Sequence, residues 1–396
     1  MNAQRSIGLY VHIPFCQYKC AYCDFYSVVT LDAMDRFVDA LCREIELRAA
    51  LHAAEVEVST MFWGGGTPSL LAPAHVERIA RVLGDCFKWS PDLEWTLEAN
   101  PGTITLDKLW HYRQLGVNRL SFGVQSFDAK ELLFLERIHS AAQAEEAVEL
   151  ARRAGFENIN IDIMYALPGQ DIRTHERNLE RACMLDPEHI SAYSLVYEPG
   201  TPLYHRMQRG LVVPLGEEQE AALYLTTSAI LEAHGYRQYE VSNFAKEGRQ
   251  CRHNLLYWRR GEYLGFGPSA HSHWNNVRWS NRRSIQHYLD ALSCGEFPLA
   301  QQEHLSLQQQ CTEHVFLSLR AEGLDLAAFE QLYQVRLTVG EPRRVLDEWI
   351  AAGWARIEHG RLRLTTAGYA LCDEMAVELL DAIDRARCGV PDRAIL

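Results

Sequence analysis

The sequence has no long Lys/Arg run, and its net charge is −13. Non-specific nucleic-acid binding depends on basic charge meeting phosphate. This balance therefore argues against a nucleic-acid grip as the main function. No apolar run approaches membrane-spanning length, and the N-terminus lacks a charged-then-apolar signal. The ends, Met-Asn and Ala-Ile-Leu, carry no lipidation signal. A cytoplasmic protein without a transmembrane segment is expected, which leaves only peripheral contact with a membrane open. Repeats of solenoid period and low-complexity segments are absent. The 11 cysteines form no regular framework. That excludes a disulfide scaffold and fits a reducing compartment with one metal site. No second CxxC pair accompanies the first cysteine group, which removes the usual partner of a structural zinc site.

What is present is ordinary globular composition, 47% hydrophobic and 23% charged, over 396 residues. That length suits two or three domains. β-Branched and aromatic runs at 8–13, 56–63, 93–98, 118–124, 158–165 and 189–196 alternate with amphipathic stretches at 32–50, 73–86, 106–115, 141–154 and 174–184. Six strand–helix units in series predict a parallel sheet with right-handed crossovers, ligands lying beyond the carboxyl ends of its strands. A helix at 217–233 and an apolar run at 236–241 follow. The stretch 243–280 is rich in Gly, His, Asn and aromatics and shows little periodicity, which marks a functional or mobile segment. From about residue 306 the pattern is helical, with a small hairpin at 355–364 and a helix from 366. The resulting division is 1–242, a connecting segment at 243–300, and a helical, winged-helix-like domain at 301–396. Its mixed charge gives no DNA signal.

The chemistry sits at the strand ends. Cys16, Cys20 and Cys23 form a CxxxCxxC triplet just after the first apolar run. Three soft thiolates on a four-iron cube leave one iron open to a ligand. Phe25, two residues on, is placed to stack on an adenine. Gly64, Gly65 and Gly66 follow the second run and lead into Thr67-Pro68; glycines there let backbone approach a ligand closely. Glu98 ends the third run and can accept ribose hydroxyls or an ammonium. Gln125 ends the fourth and offers a neutral amide. Arg137 can neutralise a carboxylate bidentately. Asp162 lies inside the apolar fifth run, where a charge is costly unless paired or functional. Singly, each of these also reads as a satisfied structural polar group; together they favour one site.

The opening from Leu9 to Cys16, the triplet, the GGGTP turn, the segment 121–126 and the segment 162–169 resemble the radical S-adenosylmethionine (SAM) superfamily. Within it the chain resembles the oxygen-independent coproporphyrinogen III oxidase group. The resemblance implies a partial (β/α)6 barrel whose [4Fe-4S] cluster binds SAM through the open iron. It also implies an electron donor and cleavage of SAM to a 5′-deoxyadenosyl radical and methionine. Tyr10, Cys16, Cys20, Cys23, Gly65, Thr67, Glu98, Gln125, Arg137 and Asp162 match the cluster and SAM positions of that group. Ala166 departs from a more usual Gly, with a slightly tighter turn as the expected effect. The oxidase carries a further Cys where this chain has Phe25, and an N-terminal extension before the first strand. His253-Asn254 and Tyr257-Trp258 form an HNxxYW motif that resembles the heme-chaperone branch of the group instead. That branch implies heme as a ligand, hemoproteins as recipients and no coproporphyrinogen oxidase activity, the oxidase being the rival. On its residues alone His253 reads as a histidine serving local structure; the resemblance makes it a heme ligand. His271 and His273 are the next candidates.

Overall fold

The computed structural model describes residues 5–388. Two compact units divide the chain. The first holds residues 1–237, 244–253 and 261–304, the second 238–243, 254–260 and 305–396.

The six apolar runs are six parallel strands: β1 (Arg5–Ile13), β2 (Val56–Gly65), β3 (Lys88–Ala99), β4 (Arg119–Gln125), β5 (Ile159–Tyr165) and β6 (His189–Ser194). Alternation along a strand gives the two faces opposite tasks. Leu9, Val11, Met61, Trp63, Trp95 and Leu97 are fully buried on one face. Helices Pro73–Cys86, Ala141–Arg153, Ile172–Met184 and Glu217–Ala233 pack on β3, β4, β5 and β6. The crossovers have well-defined ends. Ser140 and Gln143 close a capping box at the start of one helix, Thr105 and Asp171 cap two others, and Gly116, with φ of 107°, ends the helix that Thr105 starts.

The stretch 243–300 is not an irregular connector. It holds β8 (Asn243–Ala245), preceded by the two-residue β7 (Arg237–Gln238), and then β9 (Tyr263–Phe266), β10 (His271–Trp274), β11 (Val277–Asn281) and β12 (Leu299–His304). Strand β9 joins β1 in parallel, Gly8 opposite Tyr263, and β10 to β12 continue antiparallel. The sheet order is β12-β11-β10-β9-β1-β2-β3-β4-β5-β6-β8-β7. Strands of two to six residues, broken by glycines, are too short to display a period; pairing with an existing edge forms them. The anchor of this extension is Glu44, a fully buried carboxylate on the helix Met34–His52. It accepts from Gly267 N at 2.8 Å, Asn281 Nδ2 at 2.7 Å and the Tyr288 hydroxyl at 2.7 Å.

The second unit packs helices Leu307–Leu319, Leu326–Tyr333, Gly340–Ala351 and Cys372–Cys388 around Val315, Leu319, Phe329 and Trp349, all buried. A small sheet of β13 (Leu324–Asp325), β14 (Ala355–Glu358) and β15 (Arg361–Leu364) completes it. Its short segments belong to the same body: Val241 N donates to Arg320 O at 2.9 Å. No helix among the described residues is long and apolar enough to cross a membrane.

Candidate functional site

The loop after β1 carries the three cysteines and is fastened on both sides. Gly66 N donates to Ile13 O at 2.8 Å, Val28 N to Pro14 O at 2.7 Å and Cys16 N to Val28 O at 3.0 Å. Arg283 donates to Asp24 O at 2.6 Å, and Ile285 N to the Tyr26 hydroxyl at 2.6 Å.

Each thiol has its own hydrogen-bond donor. The Thr67 hydroxyl lies 3.7 Å from Cys16 Sγ. Arg137 Nη1 lies 3.5 Å from Cys20 Sγ. The backbone N–H of Phe25 serves Cys23. Burial pushes the Cys23 thiol up to about 11, and nearby Cys20 and Cys16 add to the rise, so the three sulfurs lie within electrostatic reach of one another. Among the described residues no three His, Cys, Asp or Glu side chains converge on one point as a single ion requires. A cube whose irons each take one thiolate spans a cage rather than a point, and a short loop carrying three cysteines, each beside a hydrogen-bond donor, suits it. The donor set fits an iron–sulfur cluster.

The strand ends around the loop are polar. Tyr10, Phe62, Gly64, Glu98, Ser121, Asn160 and Asp162 share the sheet face opposite the helices. Tyr10 and Phe62 stack with centroids 6.4 Å apart. Asn160 Nδ2 donates to Ser121 Oγ at 2.8 Å and to Asp162 Oδ1 at 2.7 Å. Burial first, and the Asp162 carboxylate second, raise Glu98 to about 8 against the Gly65 N–H, 3.2 Å from Glu98 Oε2. Burial likewise raises Asp162. Two carboxyls held high in one buried space are suited to a cationic or hydroxyl-rich ligand, which they meet as acceptors once ionised.

The glycines make room first for the protein itself. A Cβ on Gly64 would lie 2.9 Å from Glu98 Oε2, one on Gly66 2.6 Å from Phe15 O, and one on Gly65 (φ +105°) 2.5 Å from the His12 ring. His12 is the residue that sequence reasoning passed over, although it stands in the motif that carried the resemblance. Its Nε2 donates to Tyr26 O at 2.8 Å, so its Nδ1 accepts from the Tyr10 hydroxyl at 3.1 Å. Burial lowers its pKa to about 4, which keeps this tautomer neutral. It couples the strand face to the cysteine loop.

Thr67 turns toward Cys16 and not into the open space. Arg137 spends Nη2 on Asn100 Oδ1 at 2.5 Å and Gly123 O at 2.6 Å. Gln125, in a left-handed conformation (φ 71°), lies near Gly123 with Arg137. A small open cleft lined by Gln17, Tyr18, Cys20, Asn100 and Arg137 adjoins them. Phe25 is 67% exposed, free to stack on an incoming ring.

A sequence profile of the radical SAM superfamily matches residues 10–182, and one of the HemN C-terminal domain matches 305–371. The chain is 38% identical over 369 residues to the heme chaperone HemW of Bacillus subtilis, covering 92% of this chain and 97% of that one. It is 36% identical over 381 residues to the heme chaperone HemW of Mycobacterium tuberculosis, covering 95% of each. The chain belongs to the HemW family of radical SAM proteins. Coproporphyrinogen III oxidase (HemN) of Escherichia coli, a radical SAM enzyme, superposes with a TM-score of 0.82 at 26% identity, covering 95% of this chain and 90% of that one. Membership of the radical SAM superfamily implies a [4Fe-4S] cluster and SAM, and the cysteine loop and the polar strand face are the parts of this chain whose donor sets fit them.

His253 of the HemW-type HNxxYW motif lies elsewhere than expected. It is 1% exposed and sits against β1 and β2, not in a surface loop. Its Nδ1 is 2.8 Å from Thr60 Oγ1, its ring stacks on Phe62 at 5.5 Å, and it fills the space above Gly8. Glu94 Oε1 accepts from the backbone N–H groups of Arg252 and His253 at 2.8 and 3.3 Å, capping the helix Arg252–Trp258. Burial lowers the His253 pKa to about 3. In this arrangement the imidazole serves the sheet. His273 is also buried, its Nδ1 3.1 Å from Gly261 O, whereas His271 is exposed.

Proposed function

We propose that this chain is a cytoplasmic heme chaperone that holds a [4Fe-4S] cluster on Cys16, Cys20 and Cys23 and binds SAM against Tyr10, Gly64–Gly66, Glu98, Gln125, Arg137 and Asp162. The observation that carries it is a likeness of at least 36% identity over nearly the whole chain to proteins named heme chaperones. Bound there, the cluster and SAM supply one-electron chemistry, fed by an external electron donor. The chain's own contribution is to hold three thiolates under separate donors and to present two buried carboxyls at the strand ends. The ten cysteines whose side chains are described are free thiols, which supports a reducing compartment. Heme would be passed to hemoproteins, with His253 reaching the iron only after leaving Thr60 and Phe62.

The test is anaerobic reconstitution followed by parallel assays. The reconstituted protein is expected to bind heme and to leave coproporphyrinogen III unconverted with SAM and reductant present. Decarboxylation without heme binding would replace the chaperone by the enzyme.

A further inference from the structure

We propose that Asn100 is a positioning residue that aims hydrogen-bond donors at two of the three cluster thiolates at once. It stands two residues after Glu98, just beyond the end of β3.

The geometry is a closed arc. Asn100 Nδ2 donates to Thr67 Oγ1 at 2.8 Å. A hydroxyl carries one hydrogen, so a Thr67 oxygen that accepts from Asn100 keeps its own hydrogen for Cys16 Sγ, 3.7 Å away. On the other side Asn100 Oδ1 accepts from Arg137 Nη2 at 2.5 Å. That contact, with Gly123 O at 2.6 Å, fixes the guanidinium plane so that Nη1 faces Cys20 Sγ at 3.5 Å. The amide needs both of its ends for this. Its orientation is set because only an oxygen can face Arg137 and only an NH2 can satisfy Thr67 while Thr67 donates onward. Thr67 is buried and Arg137 half-buried, so water does not replace the arc freely. Asn100 also keeps its place through its own carbonyl, which accepts from Thr103 Oγ1 at 2.7 Å.

Hydrogen bonds to the sulfurs are among the terms that set a cluster's reduction potential, because they spread the negative charge added on reduction. Asn100 thus tunes the ease with which the cluster accepts an electron, through Thr67 and Arg137. The inference rests on the cluster reading of Cys16, Cys20 and Cys23.

The experiment reconstitutes wild type, Asn100→Ala, Asn100→Asp, Thr67→Val and the double variant Asn100→Ala with Thr67→Val. Iron and sulfide content, the reduced-cluster electron paramagnetic resonance spectrum and the midpoint potential are measured. Asn100→Ala is expected to keep its iron while its potential moves negative. Asn100→Asp, which keeps the oxygen for Arg137 but draws the Thr67 proton toward itself, moves further negative. The double variant shifts by less than the sum of the two singles, because Asn100 acts partly through Thr67. An Asn100→Asp protein that loads fully and sits at the wild-type potential overturns the proposal, as do fully additive shifts. Loss of iron in both Asn100 variants makes it a folding residue and overturns the proposal too. Failure of the wild type to take up iron and sulfide overturns the cluster reading instead.

Discussion

Asp162 and Glu98 share one buried face, and the higher of the two shifts has a measurable consequence. Glu98 holds its proton up to about pH 8 in the folded chain. An unfolded Glu releases it near 4.3. The folded state therefore binds more protons across that window, and stability present below the unfolded value is lost as pH rises through the folded one. Glu98→Gln, neutral at every pH, is expected to gain on the cluster-free wild type from about pH 5 to 8 and to level off above. Urea midpoints across that range check this, and a constant difference would refute it. Ala166 offers a second residue-scale test. The sequence suggested only a tighter turn; the backbone there has φ of 60°, a left-handed conformation that costs an L-residue about 1–2 kcal/mol. Gly enters it freely but loses more entropy on folding, about 0.4–1 kcal/mol. Ala166→Gly should therefore stabilise by ~0.5–1 kcal/mol in thermal or chemical unfolding. A drop in stability would mean the Cβ is packed usefully.

Whole elements were readable where the period ran long enough to be seen. Helices Pro73–Cys86, Leu106–Leu115 and Glu217–Ala233 span the predicted residues, and the six parallel strands differ from expectation mainly at their ends. What escaped was contextual. Strands β9 to β12 exist because β1 offers an edge, and no local pattern announces an edge 250 residues away. The strand-end residues were legible as a group, yet their partners were not. Thr67 and Arg137 read as ligand contacts, while much of their hydrogen bonding goes to cysteines and to Asn100. His253 read as part of an irregular segment, whereas it lies on a helix and is buried by Thr60, Phe62 and Gly8 on two distant strands. That placement makes a prediction about the helix Arg252–Trp258. If His253 ligates heme iron, it must first give up Thr60, so Thr60→Val should speed heme uptake, followed by the Soret change, and His253→Ala should abolish the ligand signature. A spectrum indifferent to His253 would move the ligand, with the exposed His271 next to be substituted.

At the scale of the molecule, the second unit is assembled from three pieces of chain. Residues 238–243 and 254–260 belong with 305–396. Arg259 pairs with Glu322 at 2.6 Å, Thr366 Oγ1 meets Gln238 Oε1 at 3.2 Å, and Val241 N bonds Arg320 O. A chain cut after residue 304 would strand the two short pieces without partners. It should aggregate or melt at clearly lower temperature than the full chain, which solubility and thermal unfolding would reveal; an equally stable fragment would contradict the division. The pairing of β9 with β1 has a further consequence, in time rather than space. The ribosome makes domains from the N-terminus at about 5–20 residues per second. Strand β1 and its three cysteines emerge first, yet the strand that covers β1's open edge, Gly8 against Tyr263, emerges last of the pair. For roughly 10–50 seconds of synthesis, by that rate, the thiol-bearing loop hangs from a half-framed strand, without the Arg283 and Ile285 contacts that later fasten it. Iron and sulfide delivered during that interval would meet a loose loop; delivered afterwards, they meet a seat already shaped to receive them.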